Sequence, residues 1–172
     1  MPKKPLILDF SEYDLNTVIA DIEEIRRYNR QRFEMEQLTA ICFQDPQRGI
    51  CVGYKDLAPD EFWARGHFPG VPLMPGVIMC ECAAQLSSYY ARRFNLLDGI
   101  VGFGGMEEVR FRGVVRPGDR FVVVCRLLRH RRTMITCEFQ CFVNQGLVCE
   151  GIIIGVALPM DQLGGEPSAS PE

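Results

Sequence analysis

One long apolar segment constrains the fold of this chain more than any other feature. VIMCECAAQLSSYYARRF (77–94) has 18 residues, follows Pro75 and Gly76, and carries Glu81 and Gln85 within it. Proline is well suited to the first turn of a helix, so the segment predicts a helix that begins near residue 76. Because a membrane span needs about 20 predominantly apolar residues, we interpret this segment as a buried core helix.

Strand-like runs rich in Val, Ile, Phe and Cys lie on both sides of this helix. They cover 38–43, 49–55, 101–111, 120–128, 133–143 and 147–158. Strands and helices do not alternate, which disfavours a doubly wound parallel sheet and favours an α+β fold with an antiparallel sheet wrapped around a long central helix. The open edges of such a sheet favour dimerisation. In the fifth run, Glu138 and Gln140 alternate with Cys137 and Cys141. The face of the strand that carries Glu138 and Gln140 is therefore predicted to be more exposed to solvent.

The sequence predicts a single domain over residues 1–158. It includes an amphipathic helix over about 14–28, capped by Asp14, because apolar residues recur there at helical spacing. These residues are Leu15, Val18, Ile19, Ile22 and Ile25. The last segment, 159–172, is low in apolar residues and is predicted to be a disordered tail.

Eight cysteines raise the question of disulfides or zinc, and their spacing favours neither. The chain has no CxxC pair, and its two histidines, His67 and His130, lack the spacing of zinc ligands. We therefore interpret the cysteines as reduced core residues. The sequence predicts no metal and no organic cofactor.

The net charge and the first residues of the sequence bear on the binding partners and the cellular location of the protein. The net charge of −3 argues against a nucleic-acid binder, which is normally basic. The opening MPKKPLILDF has too short an apolar run for a signal peptide, and no transmembrane stretch follows. We expect a cytoplasmic protein that binds neither nucleic acid nor membrane.

A loop rich in proline and glycine carries His67 into the start of the predicted core helix. The loop, 65–76, has three prolines and three glycines, a composition that fixes a side chain and lets a ligand approach the backbone. Free N–H groups at a helix start bind developing negative charge. A lone histidine such as His67 is more often structural than catalytic. A helix face that carries polar residues such as Glu81 and Gln85 is more often a solvated surface than a reaction site. Together, His67, Glu81 and these amides form a usable acid/base site.

The segment GHFPGVPLMPGVIMCECAAQ (66–85) resembles the signature of the hot-dog-fold 3-hydroxyacyl-[acyl-carrier-protein] dehydratases. In that family the HFPG motif carries a catalytic histidine, and a Glu or Asp follows fourteen residues later in the central helix. His67 and Glu81 match both positions. The resemblance covers roughly residues 55–157 and includes FGGMEEVRFR (103–112) and VVRPGD (114–119).

This resemblance implies the dehydration of (3R)-3-hydroxyacyl-[acyl-carrier-protein] to the trans-2-enoyl product in fatty-acid biosynthesis. It implies His67 as the base, Glu81 as the proton donor and the Gly76 backbone N–H as the group that stabilises the carbonyl oxygen. The predicted acyl tunnel consists of Phe62, Trp63, Phe68, Leu73, Met74, Ile78, Gln85 and Phe103. The implied partners are an acyl carrier protein and a second copy of the chain, with a trimer of dimers as the larger assembly. In the implied homodimer, the histidine and the carboxylate meet across the interface.

Other functions are compatible with the same motif. They are a hot-dog hydratase acting on acyl-CoA, a thioesterase, and a non-catalytic family member that acts as a binding subunit. The chain also departs from the family pattern at two places. Residues 29–34 replace the usual opening segment, and Gly102 stands where many members carry a tyrosine near the tunnel mouth. These departures leave the preferred acyl chain length open.

Overall fold

Six antiparallel strands wrap around one 18-residue helix in the computed structural model, which describes residues 5–159 and residue 163. The helices are α1 (Ile22–Tyr28) and α2 (Gly76–Arg93), and short 3-10 turns cover Phe10–Glu12 and Phe33–Met35. The strands are β1 (Ala40–Asp45), β2 (Ile50–Asp56), β3 (Ile100–Phe111), β4 (Arg120–Arg131), β5 (Met134–Val143) and β6 (Gly146–Leu158). The predicted antiparallel sheet around a central helix is confirmed.

Helix α2 begins where the sequence predicts, because proline and glycine each suit their position. Pro75 has an extended backbone at the N-cap and has no N–H of its own to leave unpaired. A Cβ on Gly76 would lie 2.7 Å from the ring of Phe111, so glycine allows the helix start to pack against the end of β3. Farther along, Leu86 and Tyr89 are almost fully buried in the main core. Each such side chain stabilises the fold by about 1.5–3 kcal/mol.

The order of the strands in the sheet is β1-β2-β4-β5-β6-β3, so β1 and β3 form its two edges. Among the described residues, the β1 edge carries one further bridge, between Ala20 and Ile41. Strand β3 pairs with β6 on one side only. Its large apolar side chains Phe103, Met106 and Phe111 are 46%, 49% and 54% exposed. A long edge strand with exposed apolar side chains is a template for pairing with another chain.

The prediction that the Glu138 and Gln140 face of β5 is more exposed to solvent is wrong, because this face is also buried. Glu138 is 6% exposed and Gln140 is 2% exposed. The side chain of Gln140 accepts a hydrogen bond from the Ile7 N–H at 2.8 Å and donates one to the Pro5 carbonyl at 3.0 Å. Arg126 donates to Glu138 at 2.6 Å. A segment more than 100 residues away along the chain covers this face, and strand alternation cannot reveal it.

The predicted helix over 14–28 is wrong in its first half, because α1 begins only at Ile22. Asp21 is the actual cap and accepts a hydrogen bond from the Glu24 N–H at 3.0 Å. Asp14 instead accepts from the Asn16 N–H in a turn. Residues 19–20 then bond to the Ile41 backbone as a short bridge, which competes with helix formation there. The predicted tail, 159–172, lies outside the described residues except for 159 and 163.

The cysteines are core residues, as predicted, and all eight are free and buried. Burial raises the pKa of the Cys42 thiol to about 12 and the pKa of the Cys82 and Cys137 thiols well above their ordinary value. Thiols in this state are poor nucleophiles at neutral pH. Within the described part of the chain, His, Cys, Asp and Glu form no group of three or more that could hold a metal ion. None of the helices in that part is long and apolar enough to cross a membrane.

Candidate active site

A tight turn fixes the loop that carries His67. The N–H of Phe68 donates to the Val71 carbonyl at 3.0 Å, and the N–H of Val71 donates to the Phe68 carbonyl at 2.9 Å. Between them, Pro69 and Gly70 take the central positions, and Gly70 has φ = +76°. Proline followed by a residue with positive φ is the signature of a type II turn, which explains why glycine stands there.

Backbone hydrogen bonds tie the same loop to the rest of the domain. The N–H of His67 donates to the Trp63 carbonyl at 2.8 Å, and the N–H of Leu73 donates to the His67 carbonyl at 2.7 Å. The N–H of Met74 donates to the Val115 carbonyl, which lies between β3 and β4. These contacts hold the backbone of His67 in one position before any substrate arrives.

The imidazole of His67 is oriented by a backbone carbonyl. Its Nδ1 lies 2.8 Å from the Leu73 oxygen, and a carbonyl only accepts, so Nδ1 carries the proton. The neutral ring therefore has an unprotonated Nε2, which is the atom able to act as a base. The Phe68 ring stacks on the imidazole with a centroid distance of 4.1 Å and fixes its plane.

The start of α2 provides hydrogen-bond donors beside this imidazole. His67, Leu73, Met74, Gly76 and Val77 line one cavity of about 400 Å³. The first N–H groups of a helix have no partner within the helix, and no side chain of the described residues caps this helix start. The same end of the helix carries the positive pole of its dipole. The His67 imidazole and the first residues of α2 therefore line the same space.

Glu81 is held by a neighbouring glutamine one turn along α2. Gln85 Nε2 donates to Glu81 Oε1 at 2.7 Å and to the Met35 carbonyl at 2.6 Å. Gln85 Oε1 accepts from the Gln37 N–H at 2.9 Å. Gln85 is only 3% exposed, so its amide has one orientation, which directs the Glu81 carboxylate. Gln85 therefore holds the Glu81 carboxylate in one orientation.

Glu81 lies where two cavities meet. A narrow one of about 40 Å³ passes between α2 and strands β3, β5 and β6. A wider one of about 430 Å³ opens beside Tyr28, Gln31 and Met35. Both reach the first residues of β3, where Val101 contributes to each. The carboxylate therefore sits at the mouth of a narrow slot that leads into the domain.

Within one protomer, His67 and Glu81 do not share a cavity. Their cavities have no lining residue in common. Glu81 follows Gly76 by five residues, which turns it about 140° farther around the helix than Gly76. The His67 cavity includes Phe111 at the end of β3, whereas the Glu81 cavities include Val101 at its start. The two predicted catalytic residues of one protomer therefore line separate cavities.

The predicted tunnel residues are spread over several environments. Leu73 and Met74 line the His67 cavity, and Phe103 lines the narrow cavity at Glu81. Trp63 and Ile78 pack in or against the main core. Phe62 lines a separate surface pocket beside Phe33. Sequence reasoning missed Gln31, Met35, Gln37, Phe111 and Ser87, of which only Phe111 lies in a recognisable motif.

Known proteins share this sequence and this fold. The family model of the FabA-like domain matches residues 30–152. The 3-hydroxyacyl-[acyl-carrier-protein] dehydratase FabZ of Lawsonia intracellularis is 39% identical over 104 residues, which are 58% of this chain and 68% of that protein. The FabZ of Hydrogenobaculum sp. is 30% identical over 146 residues, 83% of this chain and 98% of that protein.

Solved structures agree with these matches at the level of the fold. A chain of the dehydratase heterocomplex ApeI:P from Xenorhabdus doucetiae superposes with a TM-score of 0.68 at 14% identity, over 81% of this chain and 93% of that one. The E. coli PaaI protein superposes with a TM-score of 0.54 at 13% identity, over 67% of this chain and 80% of that one. The hot-dog fold predicted from the sequence is confirmed. The chain therefore belongs to the FabA-like family, in which it is similar to the FabZ dehydratases.

Proposed function

We propose that this chain dehydrates (3R)-3-hydroxyacyl-[acyl-carrier-protein] to trans-2-enoyl-[acyl-carrier-protein] in fatty-acid biosynthesis. The observation that carries this proposal is the hydrogen bond between His67 Nδ1 and the Leu73 carbonyl. It leaves Nε2 as a base in the cavity that contains the start of α2. The FabZ of Lawsonia intracellularis, which is 39% identical, is named for this dehydration.

The first step removes a proton from the carbon next to the thioester carbonyl. His67 Nε2 takes this proton, and the Leu73 carbonyl stabilises the imidazolium through Nδ1–H. Negative charge then develops on the carbonyl oxygen. The Gly76 N–H at the positive end of the helix dipole stabilises that charge, as an oxyanion hole does.

The second step breaks the bond between C3 and its hydroxyl oxygen. The electron pair left at C2 forms the double bond between C2 and C3. The Glu81 carboxyl supplies a proton to the departing hydroxyl, directly or through a water, so that water leaves. Gln85 fixes the direction of this carboxyl through its 2.7 Å hydrogen bond. These roles need His67 and Glu81 on either side of one substrate.

A second copy of the chain would bring the two residues together. The open edge of β3 carries the exposed side chains Phe103, Met106 and Phe111. Antiparallel pairing of two β3 strands around a two-fold axis places the start of one strand beside the end of the other. The start of β3 lines the Glu81 cavities and its end lines the His67 cavity. The proposed homodimer thus builds each site from His67 of one subunit and Glu81 of its partner.

The proposed substrate also defines the other partner and the setting. We propose that an acyl carrier protein delivers the thioester and that the reaction takes place in the cytoplasm, together with fatty-acid synthesis. A trimer of dimers stays a prediction from the family resemblance.

The first test is turnover by the wild-type protein. Given 3-hydroxyacyl-carrier protein, the purified dimer should produce the enoyl thioester. The absorbance of this product measures the rate of the reaction. The corresponding CoA ester serves as the comparison and should react more slowly. Release of a free thiol without enoyl product would indicate a thioesterase instead. Absence of any reaction in a folded dimer would support a non-catalytic binding subunit.

A second prediction concerns Gln85. Replacing it with leucine should lower kcat about tenfold with little change in KM, because the lost hydrogen bond orients Glu81. The variant should also lose about 1–3 kcal/mol of stability, because the Gln37 N–H and the Met35 carbonyl lose their partner. Steady-state kinetics and urea unfolding measure the two effects.

A matched control separates positioning from stability. Asn29 is buried, and its Nδ2 donates to the backbone oxygen of Gln85 at 2.9 Å, not to the side-chain amide that holds Glu81. Asn29→Ala should therefore reduce stability by a similar amount while kcat stays near the wild-type value. An equal loss of kcat in both variants would mean that Gln85 acts through stability alone.

A further inference from the structure

The narrow cavity beyond Glu81 contains a groove that runs over a glycine. Phe103, Gly155 and Ile135 are cross-strand neighbours in one row across β3, β6 and β5. The side chains of such neighbours point to the same face of the sheet, and all three residues line the cavity. Phe103 and Ile135 therefore form walls on either side of Gly155, which has no side chain between them. Ala84 lines the same cavity from α2, so the groove lies between two small residues.

The groove exists because residue 155 is glycine. A Cβ at this position would lie 2.9 Å from Val101 Cγ1 and 3.0 Å from Ile135 Cγ1. Both distances are shorter than the roughly 3.5–4.0 Å at which carbon atoms pack. Val101 and Ile135 also line the cavity. A single added carbon would therefore press on two of its walls.

The groove opens at one end into the wider cavity. Gln31, Glu81, Ser88 and Val101 line both cavities, so they mark this mouth. In the proposed reaction, C3 of the substrate lies beside Glu81. The acyl chain beyond C3 therefore enters the narrow cavity at its mouth and extends inward over Gly155.

Ile135 stands where the groove ends. It is 1% exposed and belongs to a small hydrophobic cluster with Ala91, Leu97 and Cys137. Of these four residues, Ile135 alone lines the narrow cavity in the described part of the chain. Its side chain thus separates the groove from an interior that is already filled by packed side chains.

We propose that Ile135 sets the longest acyl chain that this site accepts, because its side chain closes the groove over Gly155. The inference rests on the proposed dehydratase function and adds the residue that selects among its substrates. Each methylene that the groove buries improves binding about fourfold. A chain that extends past Ile135 must displace packed side chains, and overpacking an interior is unfavourable. The value of kcat/KM should therefore rise with chain length up to one limit and fall beyond it.

The dependence of kcat/KM on chain length tests this role. The substrates are straight-chain thioesters of even carbon number on one carrier protein, from 3-hydroxybutanoyl to 3-hydroxyhexadecanoyl. Ile135→Ala removes the side chain beyond Cβ and should move the limit to the next longer substrate. For that substrate, kcat/KM should be about tenfold higher than in the wild type, the effect of burying two more methylenes. For 3-hydroxybutanoyl it should hardly change, whereas a general loss of structure would lower both values.

Filling the groove should have the opposite effect. Gly155→Ala adds one carbon between Val101 and Ile135. It should lower kcat/KM about tenfold for the longest substrate that the wild type accepts, with little change for 3-hydroxybutanoyl. A profile identical to that of the wild type would contradict the groove over Gly155.

Ile41→Ala is the matched control for Ile135→Ala. Ile41 is also fully buried, but it packs in the main core and does not line the narrow cavity. This variant should lose stability and keep the wild-type chain-length profile. If an alanine variant does not fold, Ile135→Val and Ile41→Val make the same comparison with one carbon removed, and substrates of odd carbon number resolve the smaller shift.

Two outcomes overturn the inference and leave the dehydratase proposal intact. One is a length limit that neither Ile135→Ala nor Ile135→Val moves. The other is an equal shift in the Ile41 variants. If no thioester of the series reacts, the dehydratase proposal fails, and equilibrium binding of the same series to the wild type and Ile135→Ala decides the length limit separately. An identical limit in both proteins would then overturn the role of Ile135.

Discussion

Replacing His67 with alanine should lower kcat by about 10²–10⁴-fold, the contribution of a general base. The variant should keep its fold, because the loop is held by backbone hydrogen bonds that alanine preserves. Glu81→Gln should lower kcat on a similar scale, since an amide cannot supply the proton. Each variant is assayed for enoyl-thioester formation, with thermal unfolding and light scattering as the checks on fold and dimer.

The two inactive variants together test whether the site spans two subunits. A dimer of one His67→Ala chain and one Glu81→Gln chain contains one intact site and one doubly altered site. After subunit exchange in an equal mixture, half of the dimers are mixed, so about a quarter of the wild-type activity should return. A mixture of His67→Ala and His67→Gln chains has no intact site and should stay inactive. Complete exchange without recovery of activity would place both residues in the site of a single subunit.

Replacing Met106 with arginine should separate the dimer and remove activity. Met106 lies at the centre of β3 and is 49% exposed, so the proposed two-fold axis passes close to it. Two arginines would then face each other across the axis, and like charges directly opposite one another destabilise strand pairing. Activity should fall as far as in His67→Ala, because a separated subunit has no complete site.

The control for this change is another exposed apolar residue with the same accessibility. Leu128 on β4 is also 49% exposed but does not lie on the edge strand. Leu128→Arg should keep both the dimer and the activity. Light scattering gives the mass of each variant, and the enoyl-thioester assay gives its activity. A monomeric but fully active Met106→Arg protein would refute the two-subunit site.

The sequence determined the elements that depend on local chemistry. Pro75 and Gly76 mark the start of α2 because proline and glycine have strong positional preferences at a helix start. Six runs rich in β-branched residues became the six strands. The resemblance of residues 66–85 to the dehydratase signature indicated His67 and Glu81, on which the proposed chemistry depends. For the helix start and the strands, the signal lies within a few residues of the feature that it predicts.

Only the tertiary structure decided the contacts between distant segments. Gln140 is buried because residues near the start of the chain cover it, and Gln85 orients Glu81 because Met35 and Gln37 hold its amide. The structure alone also showed that His67 and Glu81 line separate cavities of one protomer. The physical reason for this difference is that the spacing of apolar residues along a helix or strand shows only which of its faces is apolar. Which distant segment covers that face depends on packing in three dimensions, and the same packing leaves the β3 edge open to a partner.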